Sequence, residues 1–487
     1  MARVTRRTIL GGAAASVMAA SAMRATAAQA TGSAKPVQEA GADVVVIGAG
    51  LSGLSSALLL EEAGLKVRVL EARDRVGGRV FTRFDLPGYP EVGGNSFGAG
   101  YGRVLDVARR MELPLADFSD RMARFRKTEL VINGQIVPAD AWAKSPANKL
   151  SPKLRERMPW ELGGIAMAGR NPLGAPEEWR APSARAHDVP FHDFLTARGV
   201  EPEVIRLAYS ENPYFGNSAH DVSALMYCFN EIWGAGQRQI SSHQYSIQGG
   251  NQKLPLAMAA SLKSPVHLNR EVVSVSTDQQ GVTVRCADGS QYRAKRVICS
   301  LPYSVVRSIR FDPVLQGAHA AAVTLMSYMI NTLIFLRPLR AFWEDDGLSP
   351  AMWTDGMLGT VSAQRFGETD EEVTCLVVNP RGFKAAYLDR LPREEAIRRV
   401  IAEIESIRPA ARGALECTGY HSWHQDPYAA GDWSVFGPGH ITRFGDAIIS
   451  THGHVHFCGE HTAMANRGME AALESAERAA IEVMTSL

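Results

Sequence analysis

The first ordered pattern of apolar and polar positions begins just after residue 40. Asp43–Ile47 (DVVVI) is a β-branched run of the kind that fills a strand buried on both faces. Leu51–Glu62 then reads as a helix that stops near Gly64, and Lys66–Glu71 as a second strand. Farther along, Val272, Val273 and Val275, then Val282 and Val284, alternate as in a half-buried hairpin closed near Gln280-Gly281. At the end of the chain Met469, Ala472, Leu473, Ala476, Ala480 and Val483 share one face of a long helix. Arg393–Ile407 is a further helix, while 138–190, rich in Pro, Gly, Ala and Arg, reads as irregular or loosely helical. Neither an internal repeat nor a coiled-coil heptad is present.

Composition narrows the class. A chain of 487 residues with 46% apolar content is globular and long enough for two or three domains. Lys and Arg number 52 against 51 Asp and Glu, and the first 30 residues hold Arg3, Arg6, Arg7 and Arg24 without an acid. The remaining body is slightly acidic, which argues against nucleic acid as a partner because phosphate binding needs clustered basic charge.

Residues 1–30 read as a targeting segment. Ile9–Met23 is too short and too rich in Ala and Gly for a stable membrane anchor. Arg6-Arg7 followed by Thr8-Ile9-Leu10 resembles the twin-arginine export signal, with small residues for cleavage at Ala25-Thr26-Ala27 or Ala28-Gln29-Ala30. That route carries folded proteins, so the expectation is a periplasmic protein with its cofactor inserted beforehand. Thr31–Gly41 is a polar linker.

The cofactor signal sits between the first strand and its helix. Gly48, Gly50 and Gly53 have the G-x-G-x-x-G spacing, which brings a pyrophosphate against the free N–H groups of a helix N-terminus. Glu71, at the end of the second strand, stands where an acid holds ribose hydroxyls. A second pair, Gly77-Gly78, follows between Arg73 and Arg79.

The stretch EARDRVGGR resembles the FAD-binding start of the flavin amine oxidase family, which includes monoamine and polyamine oxidases and bacterial nicotine-degrading enzymes. PEVGGNSFG, YSIQGGNQKLPLAMAASL, NREVVSVSTDQQGVTVRCADGSQYRAKRVICSLP and HFCGEHTAMANRGMEAALESAERAAIEVM extend the resemblance over the mature chain. It implies an α/β fold: a discontinuous Rossmann-like FAD-binding domain (42–100, 245–310 and 415–487) with a mixed α+β substrate-binding domain (101–244 and 311–414). Gly48, Gly50, Ser52, Gly53, Glu71, Ala72 and Arg73 would meet the nucleotide, with Val273 against adenine. Gly78, Arg79, Gly94, Asn95, Glu460 and Met469 would serve the flavin end. A positive helix terminus near Met469 would stabilise anionic reduced flavin.

By the same resemblance Trp433, in WHQDPYAAGDWSVFGPG, stands on the substrate side of the flavin, where an indole would desolvate an amine and favour its neutral form. Monoamine oxidases carry a flavin-linking cysteine just before this aromatic; here it is Asp432, so FAD should be held non-covalently. They also carry a second aromatic where this chain has Gly468, implying a pocket open at one wall, with Tyr214 and Trp353 as candidate lining residues. Hydride would pass from the carbon beside nitrogen to flavin N5, leaving an imine that hydrolyses to a carbonyl product. Asn331 aligns with the family lysine associated with oxygen reactivity. Because asparagine supplies no positive charge, slow reaction with oxygen is expected, and a cytochrome or quinone acceptor is favoured. An L-amino-acid oxidase is the alternative enzyme and would need a basic residue to clamp the carboxylate. A flavin-fold binding protein without turnover is the alternative of another class, and a homodimer is left open.

No metal is expected. The six cysteines form no C-x-x-C, and His452, His454 and His456 alternate along a strand without a Cys or acid to complete a ligand set.

Overall fold

A computed structural model describes residues 38–119, 127–364 and 372–487. The twin-arginine segment and most of the linker lie outside the described residues. Two seven-stranded sheets organise the chain. In the first, Gln38–Ile47 lies between Val67–Leu70 and Gln291–Cys299, parallel to both. Gln291–Cys299 changes partner along its length: its first half is antiparallel to Gly281–Cys286, and its last three residues run parallel to Val455–Phe457. The expected hairpin is present as Val272–Asp278 and Gly281–Cys286, with Arg310–Asp312 added at the outer edge.

Helix Leu51–Glu62 has the bounds its pattern predicts and is buried almost all round, because it is covered by the sheet on one side and by the terminal helix Gly468–Ser486 on the other. Met469, Leu473, Ala476, Ala480 and Val483 form the buried face of that terminal helix, and its small residues allow close packing. Among the described residues, no helix is long and apolar enough to cross a membrane.

The second sheet runs in the order Leu415–Ser422, Thr332–Pro338, Cys375–Asn379, Thr360–Gln364, Met352–Thr354, Glu129–Ile132, Gln135–Val137. Arg393–Ile407 packs on it through Ala396, Val400 and Ile404 against Ile334, Leu336, Leu376 and Val378. Two elements pack across the expected boundaries. Leu415–Ser422, expected with the FAD-binding segments, pairs instead with Thr332–Pro338 as an edge of the second sheet. Gly102–Arg110, expected in the substrate domain, packs on the terminal helix, since Glu470 accepts the backbone N–H groups of Arg103 and Val104 and so caps it.

Candidate active site

One cavity of about 560 Å³ runs from the glycine loops of the first sheet to the facing edge of the second. At its nucleotide end, Gly48 has φ +101° and no room for a side chain, since a Cβ there would lie 2.6 Å from Ser300 Oγ. A Cβ on Gly53 would fall 2.0 Å from the Gly48 carbonyl oxygen, so this glycine sets how closely helix and strand approach. Gly53 itself is not part of the cavity wall; Gly48, Gly50 and Ser52 are. Helix Leu51–Glu62 has no side-chain cap and no acid in its first turn, which leaves its amides and positive dipole free for an anion. Glu71 is fixed beside it, accepting from Ala49 N (2.8 Å) and Arg73 N (3.0 Å). Arg73 is held in turn by Asp426 at 2.6 Å. The second glycine loop closes on the first through Gly77 N to Ala49 O at 2.8 Å. Ala72, Gly78 and the half-exposed Val273 complete this end.

Toward the second sheet, Gly94 and Asn95 line the cavity, with Gly94 packed against Arg79 and Met469. The terminal helix points an uncapped N-terminus here, and Gly468 and Met469 form part of the wall. Arg79 ties the parts together by donating to the Asp432 carbonyl and lying 3.7 Å from the Glu460 carboxylate. Ser434 holds the other face of Glu460 through its N–H (3.3 Å) and Oγ (3.1 Å).

The far wall is aromatic and charged. Trp433 stacks on Tyr214, with ring centroids 5.0 Å apart and planes at 24°, and donates its indole N–H to the Tyr214 carbonyl at 3.0 Å. Arg381 lies 5.7 Å from the centroid of each ring. Behind them Asn379 Nδ2 donates to Asn331 Oδ1 (2.6 Å), and Asn331 Nδ2 donates to Asp432 Oδ2 (2.7 Å). Burial pushes the Asp432 carboxyl up to about 6, against the opposing pull of the Asn331 hydrogen bond and the Arg79 and Arg381 charges. Burial likewise raises Glu91, in the cavity wall, to about 8 although Asn251 N and Thr82 Oγ1 both donate to it.

A family model for flavin-containing amine oxidoreductases matches residues 51–484. The chain belongs to that family. It is 28% identical to human flavin-containing amine oxidase B over 466 residues, covering 91% of this chain and 86% of the relative. It is 26% identical to the L-amino acid oxidase of Bothrops pictus, covering 90% and 89%. Among solved structures, wild-type putrescine oxidase bound to putrescine superposes with a TM-score of 0.69 at 25% identity, over 92% of this chain and all of that one. Cyclohexylamine oxidase from Brevibacterium oxydans IH-35A shares the fold, with a TM-score of 0.71 at 21% identity over 92% and 99%. The protein is therefore a flavin-containing oxidoreductase that acts on amines.

The residues present fit the family's FAD. The glycine cradle excludes side chains where a pyrophosphate would lie, Glu71 is oriented at the strand end, and two uncapped helix termini face the same cavity.

Several sequence expectations change here. Trp353 is a core residue: it lies 7% exposed in a central strand, paired with Thr360 and Leu130, and is absent from the cavity wall among the described residues. The wall expected to be open at Gly468 is covered by Tyr101, whose hydroxyl would stand 3.6 Å from a Cβ at that position. Asn331 is a strut between Asn379 and Asp432, with both of its amide groups already bonded to protein. Arg381, bridged to Asn331 through backbone, brings a cation into the same cavity wall, one that the sequence comparison with the family lysine did not reveal.

Arg381 and Asn379 had no legible signal, since they lie in a turn and at a strand end remote in sequence from the flavin motifs, and Tyr101, three residues past PEVGGNSFG at the start of a helix, carries no pattern that marks it as a wall residue. Outside the cavity, His452 meets the Pro313 carbonyl at 2.6 Å and His456 the Glu482 carboxylate at 3.2 Å. The half-buried His192 and the exposed Asp193 and His220 bring ligand atoms within 4.8 Å of one another, a grouping that sequence spacing does not announce.

Proposed function

We propose that this protein oxidises the C–N bond of an amine with non-covalently held FAD, after export in the folded state to the periplasm, with oxygen or a periplasmic carrier as the final acceptor. The observation that carries the reading is the Trp433–Tyr214 stack lying in one cavity with the Glu71 and Gly48–Gly50 nucleotide cradle. Bound FAD would supply the two-electron acceptor for the hydrogen on the carbon beside nitrogen.

The chain's own residues position and desolvate. The aromatic stack excludes water from an amine set against it, and burial disfavours the protonated form, so the amine reacts with its lone pair free. Tyr101 and Gly468 bound the opposite side and limit the substrate's width. Non-covalent binding is supported by the cavity wall, which contains no cysteine among the described residues, and by Asp432, whose carboxyl is engaged by Asn331.

The test is an anaerobic panel of mono-, poly- and cyclic amines and amino acids on the purified protein, read by flavin bleaching. At least one amine class should bleach it, and acid precipitation should leave the yellow colour in the supernatant. A fully loaded protein that no amine reduces would favour the binding-protein alternative, and colour in the pellet would overturn non-covalent attachment.

A further inference from the structure

Arg381 is an enclosed cation without an acidic partner among the described residues. Its Nε donates to Asn379 Oδ1 at 2.9 Å, and its remaining contacts of note are the faces of Tyr214 and Trp433. Two other enclosed arginines of this fold are neutralised directly, Arg408 by Asp346 at 2.6 Å and Arg73 by Asp426 at 2.6 Å, and Arg75 is satisfied by the Val76 and Gly78 carbonyls. The carboxylate that acts on Arg381 electrostatically, Asp432, is committed to Asn331.

The position of Arg381 is fixed from several sides. Gly382 N donates to Ile330 O at 2.9 Å, and Gly382 has φ +58° with Asn217 Cα 3.1 Å from where its Cβ would be. The Pro380–Gly382 turn is thus wedged between Asn331 and the 216–217 loop, which fixes the backbone of Arg381, while the Asn379 bond and the two ring faces orient its guanidinium toward the cavity.

A buried charge is tolerated where something of opposite sign meets it, and cation–π contact with two rings offsets only part of the lost hydration. Burial draws the Arg381 guanidinium below its ordinary value, the direction expected of a charge not yet neutralised. Its terminal nitrogens have no protein acceptor among the described residues and the side chain forms part of the cavity wall, so the missing partner comes from the cavity.

We propose that Arg381 forms an anion-binding subsite on the Trp433 side of the cavity, and that the amine this protein oxidises carries a carboxylate. A planar guanidinium with two terminal nitrogens free is matched to a carboxylate, which it can grip through paired hydrogen bonds. The aromatic faces beside it suit the apolar part of the same molecule. The substrate class is then an amino acid with an apolar body rather than a simple mono- or polyamine. This rests on the amine-oxidation reading above.

The test uses the FAD-loaded protein and two ligands that cannot be oxidised at nitrogen, 3-phenylpropanoate and its neutral isostere 3-phenylpropanamide, titrated by calorimetry, with chloride and acetate as small-anion arms. The carboxylate should bind roughly ten- to a hundred-fold more tightly than the amide, the span expected of a charge-assisted pair. Arg381→Gln should erase that preference, and Arg381→Lys should keep part of it, with FAD content reporting that each variant folds. Equal binding of acid and amide, or an unchanged preference in R381Q, would overturn the subsite. So would chloride binding as tightly as 3-phenylpropanoate, which would make the occupant a free ion.

Anaerobic bleaching by L-phenylalanine against 2-phenylethylamine, which differ by the carboxylate alone, carries the proposal to turnover. The acid should win by a similar factor in kcat/KM. Bleaching by 2-phenylethylamine with no advantage for phenylalanine refutes the subsite and leaves amine oxidation standing. No bleaching by any amine, with tight carboxylate binding retained, refutes amine oxidation and leaves the subsite standing.

Discussion

Asp432→Asn keeps the shape of the side chain and its capacity to accept the Asn331 amide hydrogen while deleting a buried carboxyl. Because the folded-state value of Asp432 is about 6 against 3.8 for a free side chain, the native protein holds a proton over a range in which the unfolded chain has already released it. The contribution of Asp432 to stability is therefore full below pH 4 and is lost as pH rises through about 6. The gap corresponds to roughly 3 kcal/mol at pH 8, about half of it already lost at pH 5. With Asp432 only 8% exposed, solvent screening removes little of this.

Asparagine carries no such penalty, so D432N should outlast the wild type at pH 8. With an unfolding entropy of about 1 kcal/mol/K for a chain of this length, the difference in Tm is about 3 °C. Thermal unfolding followed by tryptophan and flavin fluorescence from pH 5 to 8 measures it. Glu91 titrates in the same sense near 8 but is common to both proteins and drops out of the difference. A Tm difference that is flat with pH, or that grows toward acid, would refute the burial argument for Asp432.

Gly53→Ala should lower the flavin-to-protein ratio at least tenfold and cost several kcal/mol in urea unfolding, because a Cβ 2.0 Å from a backbone carbonyl forces helix and strand apart; a normally loaded variant would show that the contact relaxes. Trp433→Ala should keep FAD yet slow anaerobic reduction by the best amine of the panel about 10- to 100-fold, since it removes the indole face and its bond to the Tyr214 carbonyl; unchanged reduction kinetics would make the indole purely structural. Arg6→Lys with Arg7→Lys should stop periplasmic accumulation as judged by cell fractionation, and normal export of that variant would remove the twin-arginine reading.

What the sequence by itself determined is the part of the molecule written in contiguous residues. The strand, glycine turn and helix from Asp43 to Glu62, the helix Arg393–Ile407 and the buried face of Gly468–Ser486 follow from periodicity and from the few backbone shapes glycine permits. Glu71 was legible for the same reason, since a fixed spacing from the glycines carries it to the strand end beside Ala49.

Tertiary structure alone decided the wall that faces the substrate. Trp433 and Tyr214 lie 219 residues apart, and Asn331 meets Asp432 across 101, so their meeting depends on which strands pair. An alternating apolar pattern specifies a strand but leaves its neighbours free, which is why Leu415–Ser422 joined the second sheet and Trp353 became core. Arg381 shows this most sharply. An arginine in a Pro-Arg-Gly turn reads as a solvated surface residue, and only the packing of that turn against Asn331 and the 216–217 loop turns it into a cation enclosed beside two aromatic rings.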